Sequence, residues 1–248
     1  RFDPPKDATW QEAWQLVCRR LADDPTAQRD AAALAQVLEA RSSGSRNFFD
    51  SIGAEWDSLR TVFNDGELRS RAISRLAEPG QKILDVGTGT GILALDLARL
   101  GMDVIGVDNS TSMLEAAQAK RDAQPSGRGS VTFERAEAHE LPFPDGHVDA
   151  VLAHMVLHSL ASPLDAITEM ARVVRTEGRV IVADFVAHRH EWMRNELGVL
   201  WLGFDIDAVS GWFREAELDT PEIEVHEPEG RGRELPATFI ASATKPGS

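Results

Sequence analysis

The residues of this chain best able to do chemistry lie between Lys82 and Asp108, in KILDVGTGTGILALDLARLGMDVIGVD. Asp85, Gly87, Gly89, Gly91 and Asp108 give the stretch its meaning. The glycines let the backbone turn sharply and approach a ligand closely. Asp85 sits in the mouth of the first apolar run, where a carboxylate repels a pyrophosphate and attracts a cation. Asp108 ends the next apolar run, a position from which it can accept both hydroxyls of a ribose. The dinucleotide fingerprint G-x-G-x-x-G would need glycine or alanine at 92, and the chain has Ile92. What stands there is D-x-G-x-G-x-G.

A ligand with a ribose, an ammonium group and a positive sulfonium meets these demands together. That describes S-adenosylmethionine, with S-adenosylhomocysteine as its demethylated form. A glycine-rich strand-to-helix turn also serves tight packing or another nucleotide, and the two carboxylates are what favour the sulfonium.

These residues need a sheet to hold them. The spacing predicts strands at 82–86, 103–108, 131–135, 148–154 and 178–185, with helices near 91–100, 111–121 and 163–175. Val148 to His154 and Val180 to Phe185 are almost wholly apolar, as in a parallel sheet covered on both faces. The alternation implies a doubly wound, mostly parallel α/β sheet. Helices near 190–202 and 206–217 and strands at 222–226 and 237–244 close the chain. Residues 1–64 read as a helical arm and 65–248 as the ligand-binding domain. In the arm, Thr9 caps a helix from Trp10 to Ala22 with Trp10, Trp14, Val17 and Leu21 on one face. Ala31, Leu34, Ala35 and Leu38 mark a second helix. Ser42-Ser43-Gly44-Ser45 is either a hinge or a weak point in one long helix. Phe48, Phe49, Ile52 and Trp56 continue at helical spacing, and a further helix covers Glu67 to Ala77.

Composition narrows the partners. A formal charge of −14 argues against nucleic acid, since polyanions would be repelled, and leaves a cationic small ligand open. No apolar run approaches the ~20 residues of a membrane span. The opening RFDPPKDATW has no signal-peptide core. The single cysteine, Cys18, fits a reducing compartment, so a cytoplasmic address away from membranes is expected. The chain starts at Arg1 rather than Met, as a piece of a longer protein would.

The glycine segment resembles motif I and the acidic strand end of the class I S-adenosylmethionine-dependent methyltransferases, whose sheet is Rossmann-like. The likeness continues through Ala136-Glu137-Ala138-His139-Glu140-Leu141-Pro142-Phe143, then Val148-Asp149-Ala150-Val151 and Val156-Leu157-His158. His147 stands where the family usually has an aromatic. The whole resembles the small-molecule branch that includes ubiquinone/menaquinone C-methyltransferases and arsenite methyltransferases. Phe48 to Asp57 and Trp201-Leu202-Gly203-Phe204 look like the methyltransferase domain fused to ArsR-type winged helices. The resemblance covers roughly residues 45–245. It implies that Asp85, Gly87, Thr88 and Gly89 line the methionine end of the cofactor and that Asp108 binds the ribose. Asn109 and Met113 would lie beside the adenine, and Glu137 and Ala138 at its edge and face, Glu137 replacing the usual aspartate. His154 would sit near the sulfonium and Trp56 in a lid. Arsenite methylation relies on several thiols, which one cysteine cannot supply.

Methyl transfer requires the protein to align an acceptor, exclude water and, for a hydroxyl or acidic carbon, take a proton. His154 and His158, at i and i+4 by the end of the fourth strand, are the candidate bases. The plain alternatives are a hydrogen-bonded histidine at the strand end and a packing residue at a helix start. His188 and His190 flank the expected acceptor pocket, with Trp192, Met193, Trp201 and Phe204 as its walls or as core. Neither histidine pair offers enough ligands for a metal, so none is expected.

Two functions remain at this point. One is a methyltransferase acting on a small-molecule acceptor. The other is a sensor that binds S-adenosylmethionine or S-adenosylhomocysteine for a transcription regulator. An enzyme needs a reachable cavity beside the methyl group, and a sensor can fill it with side chains. In either case the N-terminal helices are expected to form a homodimer.

Overall fold

The structure is a computed structural model that describes residues 16–57 apart from 18 and 22, then 66–76, 79–123, 128–227 and 235–247. The chain forms two compact units, Arg1–Arg41 and Ser42–Ser248, so the sheet-bearing unit starts inside the expected arm. Thr9, Trp10, Trp14 and Cys18 lie outside the described residues. Helix α1 spans Pro25–Ile52. Asp24 opens it by accepting hydrogen bonds from the amides of Thr26 at 2.7 Å and Ala27 at 3.0 Å. Proline at the first helical position loses no hydrogen bond. The helix runs unbroken through Ser42-Ser43-Gly44-Ser45.

The second unit is built on seven strands: β1 Lys82–Val86, β2 Asp103–Asp108, β3 Val131–Arg135, β4 Val148–His154, β5 Val174–Phe185, β6 Glu222–His226 and β7 Thr238–Thr244. Their order is β3-β2-β1-β4-β5-β7-β6. Neighbours among β1 to β5 run parallel, while β7 is antiparallel to both β5 and β6. From β1 the chain winds outward to β2 and β3, then returns to place β4 on the other side of β1. The order therefore reverses between β1 and β4, and a doubly wound sheet opens its ligand crevice at the carboxyl ends of those strands.

The helices are α2 Gly66–Ser74, α3 Ile92–Arg99, α4 Thr111–Asp122, α5 Pro163–Val173, α6 Trp192–Leu197 and α7 Ile206–Glu215. Successive strand side chains point to opposite faces. Ile83, Val104, Leu152 and Ile181 accordingly meet Leu68 of α2, Leu93 and Leu97 of α3 and Leu114 of α4. Leu84, Val107, Val151 and Val182 meet Ile167 and Met170 of α5 and Val209 and Phe213 of α7. Both faces are covered, which is why the strand sequences are so apolar.

Two elements depart from the expected bounds. Strand β5 begins at Val174, directly after α5, and Val174 pairs with Val148 before the register shifts. The polar run Arg175-Thr176-Glu177 hides this start. At the shift Glu177 adopts φ 61°, and a Cβ on Gly178 would lie 2.6 Å from the Asp149 carbonyl oxygen. The helix expected over 190–202 is only Trp192–Leu197. Gly198 ends it at φ 64°, where a Cβ would be 2.9 Å from the Phe48 ring. Helix α2 likewise ends at Ser74, and Ala77 lies outside the described residues.

Candidate functional site

Strand β1 delivers Asp85, only 2% exposed, to the carboxyl edge of the sheet. The turn that follows folds back on it, and the Thr88 hydroxyl donates to Asp85 Oδ2 at 2.6 Å. Gly87 and Gly91 are packing glycines: a Cβ would come 2.2 Å from Val156 at the first and 2.7 Å from Phe133 at the second. All three have positive φ, but at Gly89 nothing lies within 4 Å of the Cβ position. That open space is the cradle. The Gly89 amide donates to Asp108 Oδ2 at 2.8 Å, and the Ser110 amide donates to Oδ1 at 2.9 Å. A carboxylate has about four lone-pair directions, so Asp108 still has acceptor capacity for a diol. Burial pushes its pKa up, against the pull of the backbone amides of Ser110, Gly89 and Asn109.

Two adjoining cavities meet at this turn, sharing Trp56, Gly87, Gly89 and Met155. The one on the β2 side encloses about 720 Å³ including its mouth, and Asp108, Asn109, Met113, Ala136 and Ala138 line it. Glu137 does not face it but accepts a hydrogen bond from Asn109 Nδ2 at 3.0 Å, holding that side chain in place. The other cavity, about 680 Å³ including its mouth, lies on the β4 side. Its polar wall is Asp85, Thr88, Thr90, His154 and His158, and its apolar wall includes Leu93, Phe185, Leu197 and Val199. Among the described residues no lysine or arginine lines either cavity.

The end of α1 and the turn after it carry Phe49 and Trp56 to these cavities, their rings 5.2 Å apart edge to face. Polar clasps fix the segment. Ser110 Oγ donates to Asp50 at 2.6 Å, Thr90 Oγ1 donates to Asp57 at 2.6 Å, and Lys120 pairs with Asp57. Trp56 thus lines both cavities.

Of the two readings of Trp192, Met193, Trp201 and Phe204, walls or core, the structure gives core packing. Met193 is fully buried in a small core with Phe185, Leu197 and Val199. Trp201 and Phe204 pack on the opposite layer, and Trp201 Nε1 donates to the Leu160 carbonyl at 2.7 Å. None of them lines the cavity, nor does Trp192. The turn at Gly198 substitutes Leu197 and Val199, a geometry that helical spacing cannot foretell. His188 and His190 also stand back from the cavity. Their rings are 5.1 Å apart, and burial together with the charges of His190 and His158 lowers His188 to a pKa of about 4. Asp184 is the group the sequence did not mark: 0% exposed, it holds His158. The chain has no group of three or more metal-ligating side chains among the described residues.

Comparison with known proteins agrees with this arrangement. Residues 84–182 match the family model described as Methyltransferase domain (Methyltransf_11). The chain is similar to a demethylmenaquinone methyltransferase of Beutenbergia cavernae, 36% identical over 55% of this chain and 56% of the relative. It is also similar to the ubiquinone/menaquinone biosynthesis C-methyltransferase UbiE of a Geobacter species, 30% identical over 60% of this chain and 66% of the relative. The chain thus spans less than two thirds of these curated relatives. Among solved structures, the complex of the Haloferax volcanii Trm112 methyltransferase activator with a putative methyltransferase aligns with a TM-score of 0.64 at 22% identity, over 80% of this chain and 98% of that one. A putative methyltransferase from Bacillus halodurans aligns with a TM-score of 0.61 at 16% identity, over 73% of this chain and 100% of that one. At those identities the structures speak for the fold alone. Residues 84–182 thus match a methyltransferase domain, and the sheet is that of the class I methyltransferase fold.

Proposed function

We propose that this protein is an S-adenosylmethionine-dependent methyltransferase acting on a small-molecule acceptor. The observation that carries the reading is the pair of adjoining cavities. One fits a nucleoside, with Asp108 for the ribose diol and Asn109, Met113, Ala136 and Ala138 around the base. The methionine end would lie against Asp85, Gly87, Thr88 and Gly89, where a buried carboxylate suits an ammonium or sulfonium. The second cavity is open and lined, not packed with side chains. The part of this cavity beyond the methionine end, lined by Leu93, His158, Phe185, Leu197 and Val199, favours turnover over the sensor reading, which needs only the cofactor space.

When bound, the cofactor supplies a methyl group on a positively charged sulfur, which is already an activated leaving group. The chain's own residues then have three tasks. Trp56 and Phe49 cover the junction of the cavities and exclude water. Leu93, Phe185, Leu197 and Val199 hold an apolar acceptor body. His154 or His158 receives a proton where the acceptor must lose one. Proton transfer is worth typically about 10²–10⁴ in rate, and positioning supplies much of the rest.

Calorimetry with S-adenosylmethionine and S-adenosylhomocysteine, followed by labelled-methyl transfer to fractionated metabolite extracts, tests the proposal. Binding of both forms and a labelled small product are expected. Tight binding with no labelled product across broad extracts would return the protein to the sensor class.

For assembly, we propose a homodimer through the N-terminal helices. Most of the exposed large apolar side chains among the described residues belong to the first unit: Leu16, Val17, Leu21, Leu34 and Val37.

A further inference from the structure

The second cavity contains one side chain held far more tightly than pocket lining requires. His158 is 4% exposed and sits in the 3₁₀ turn Leu157–Ser159 that follows β4. Its Nδ1 lies 2.9 Å from Asp184 Oδ1. Its backbone amide donates to Asp184 Oδ2 at 3.2 Å, and its carbonyl accepts from the amides of Leu200 and Trp201, both at 2.9 Å. Asp184 comes from the carboxyl end of β5, is wholly buried, and also accepts from the Phe185 amide at 2.7 Å. Just upstream of the turn, Met155 adopts φ 57°, a conformation that costs a side-chain-bearing residue energy and persists where the surroundings enforce it. His154 and His158, on either side of it, both line the cavity.

We infer that Asp184 is a positioning residue for His158, fixing the imidazole as the tautomer whose Nε2 is a bare acceptor toward the second cavity, and that the acceptor is therefore an uncharged compound that must give up a proton to be methylated. The inference rests on the methyltransferase reading above. A carboxylate accepts hydrogen bonds, so the Nδ1 facing it carries the proton. Nε2 is then left with its lone pair, the form a general base needs. The same Asp184 carboxylate opposes the positive charge that the imidazole acquires. Of the other groups able to take a proton, His154 and Asp85 line the same cavity, while the chain has no tyrosine and one cysteine.

The acceptor's X–H proton goes to His158 Nε2. The X lone pair forms the bond to the methyl carbon as the carbon–sulfur bond breaks, and its electron pair stays on sulfur. The sulfonium becomes a neutral thioether, the acceptor gains a methyl group, and His158 later releases the proton to solvent. A tertiary amine or a thioether carries no such proton and would have no use for the pair. A phosphate or carboxylate acceptor would need a cation, and no lysine or arginine lines the cavity among the described residues.

The test starts with the unmodified protein and no acceptor. Nitrogen-15 NMR of the imidazoles, with His158 assigned by loss of its signals in His158→Gln, should show His158 protonated at Nδ1 and bare at Nε2 near neutral pH. A majority of the Nε2–H tautomer would overturn the inference. With a labelled acceptor in hand, Asp184→Asn should lower kcat at least ~100-fold, the lower end of general-base contributions, while calorimetric cofactor affinity stays within about twofold, near the scatter of substitutions outside a binding site. Unchanged kcat in that variant would overturn it too, as would preferred transfer to an acceptor with no dissociable proton. Cofactor binding without any transfer, alongside the expected tautomer, would instead sink the methyltransferase reading and leave the pair in place.

Discussion

If Asp108 holds the ribose as proposed, it couples cofactor binding to pH. Burial raises its pKa above the ordinary carboxylate value of 3.8, and a ribose diol needs the ionised form to accept both hydroxyl protons. Affinity for S-adenosylmethionine should therefore hold at neutral pH and fall as pH drops through that raised value. Asp108→Ala should weaken binding by more than ~1 kcal/mol at pH 7, the scale of a lost hydrogen bond to a charged group. Calorimetry across a pH series checks both, and an Asp108→Ala protein of unchanged affinity would mean the ribose lies elsewhere. His188 acts on stability. Its folded pKa of about 4 lies below the ordinary 6.5, so the unfolded chain binds a proton that the folded one refuses. That makes stability fall as pH drops from 6.5 toward 4, with no effect above. In His188→Gln, thermal unfolding followed from pH 7 to 4 should show a smaller acid loss than the parent.

At the scale of elements, the glycine turn divides into structure and cradle. Gly87→Ala combines a positive φ with a Cβ 2.2 Å from Val156. Strain of about 1–2 kcal/mol and overpacking of about 1–3 kcal/mol add, so denaturant titration should show a large loss of stability. Gly89→Ala meets no neighbour and should lose only about 1–2 kcal/mol to its left-handed backbone, yet its methyl group projects into the space where the two cavities meet. Its melting curve should change little while cofactor affinity drops at least tenfold. A Gly89→Ala protein that binds normally would remove the cradle from this turn.

At the scale of the molecule, the sheet unit Ser42–Ser248 contains all the residues of both cavities. Deleting residues 1–40 should leave a folded monomer that still binds cofactor. Light scattering on the truncated protein checks this, and a persistent dimer would place the interface on the sheet unit. The net charge of −14 predicts repulsion from nucleic acid at low salt. No helix among the described residues is long and apolar enough to cross a membrane.

The sequence alone determined the repeating strand and helix order, because apolar runs buried on both faces and the glycine punctuation are local signals. Strands β1 to β4 occupy the bounds their spacing predicted, and Asp85, Gly89, Asp108, Asn109, Met113, Ala138, His154, His158 and Trp56 all reach the two cavities. Polar residues concealed the start of β5 at Val174, and the left-handed Gly198 cut short α6. Tertiary structure decided what lies across chain distance. The Asp184–His158 pair, the Asp50 and Asp57 clasps, and the walls at Leu197 and Val199 join segments that no periodicity connects. Asp85, the glycine turn and Asp108 lie along one continuous strand–turn–helix–strand stretch and could be read in order; the cavity on the β4 side is closed by the ends of separate strands and a broken helix, and only folding brings those together.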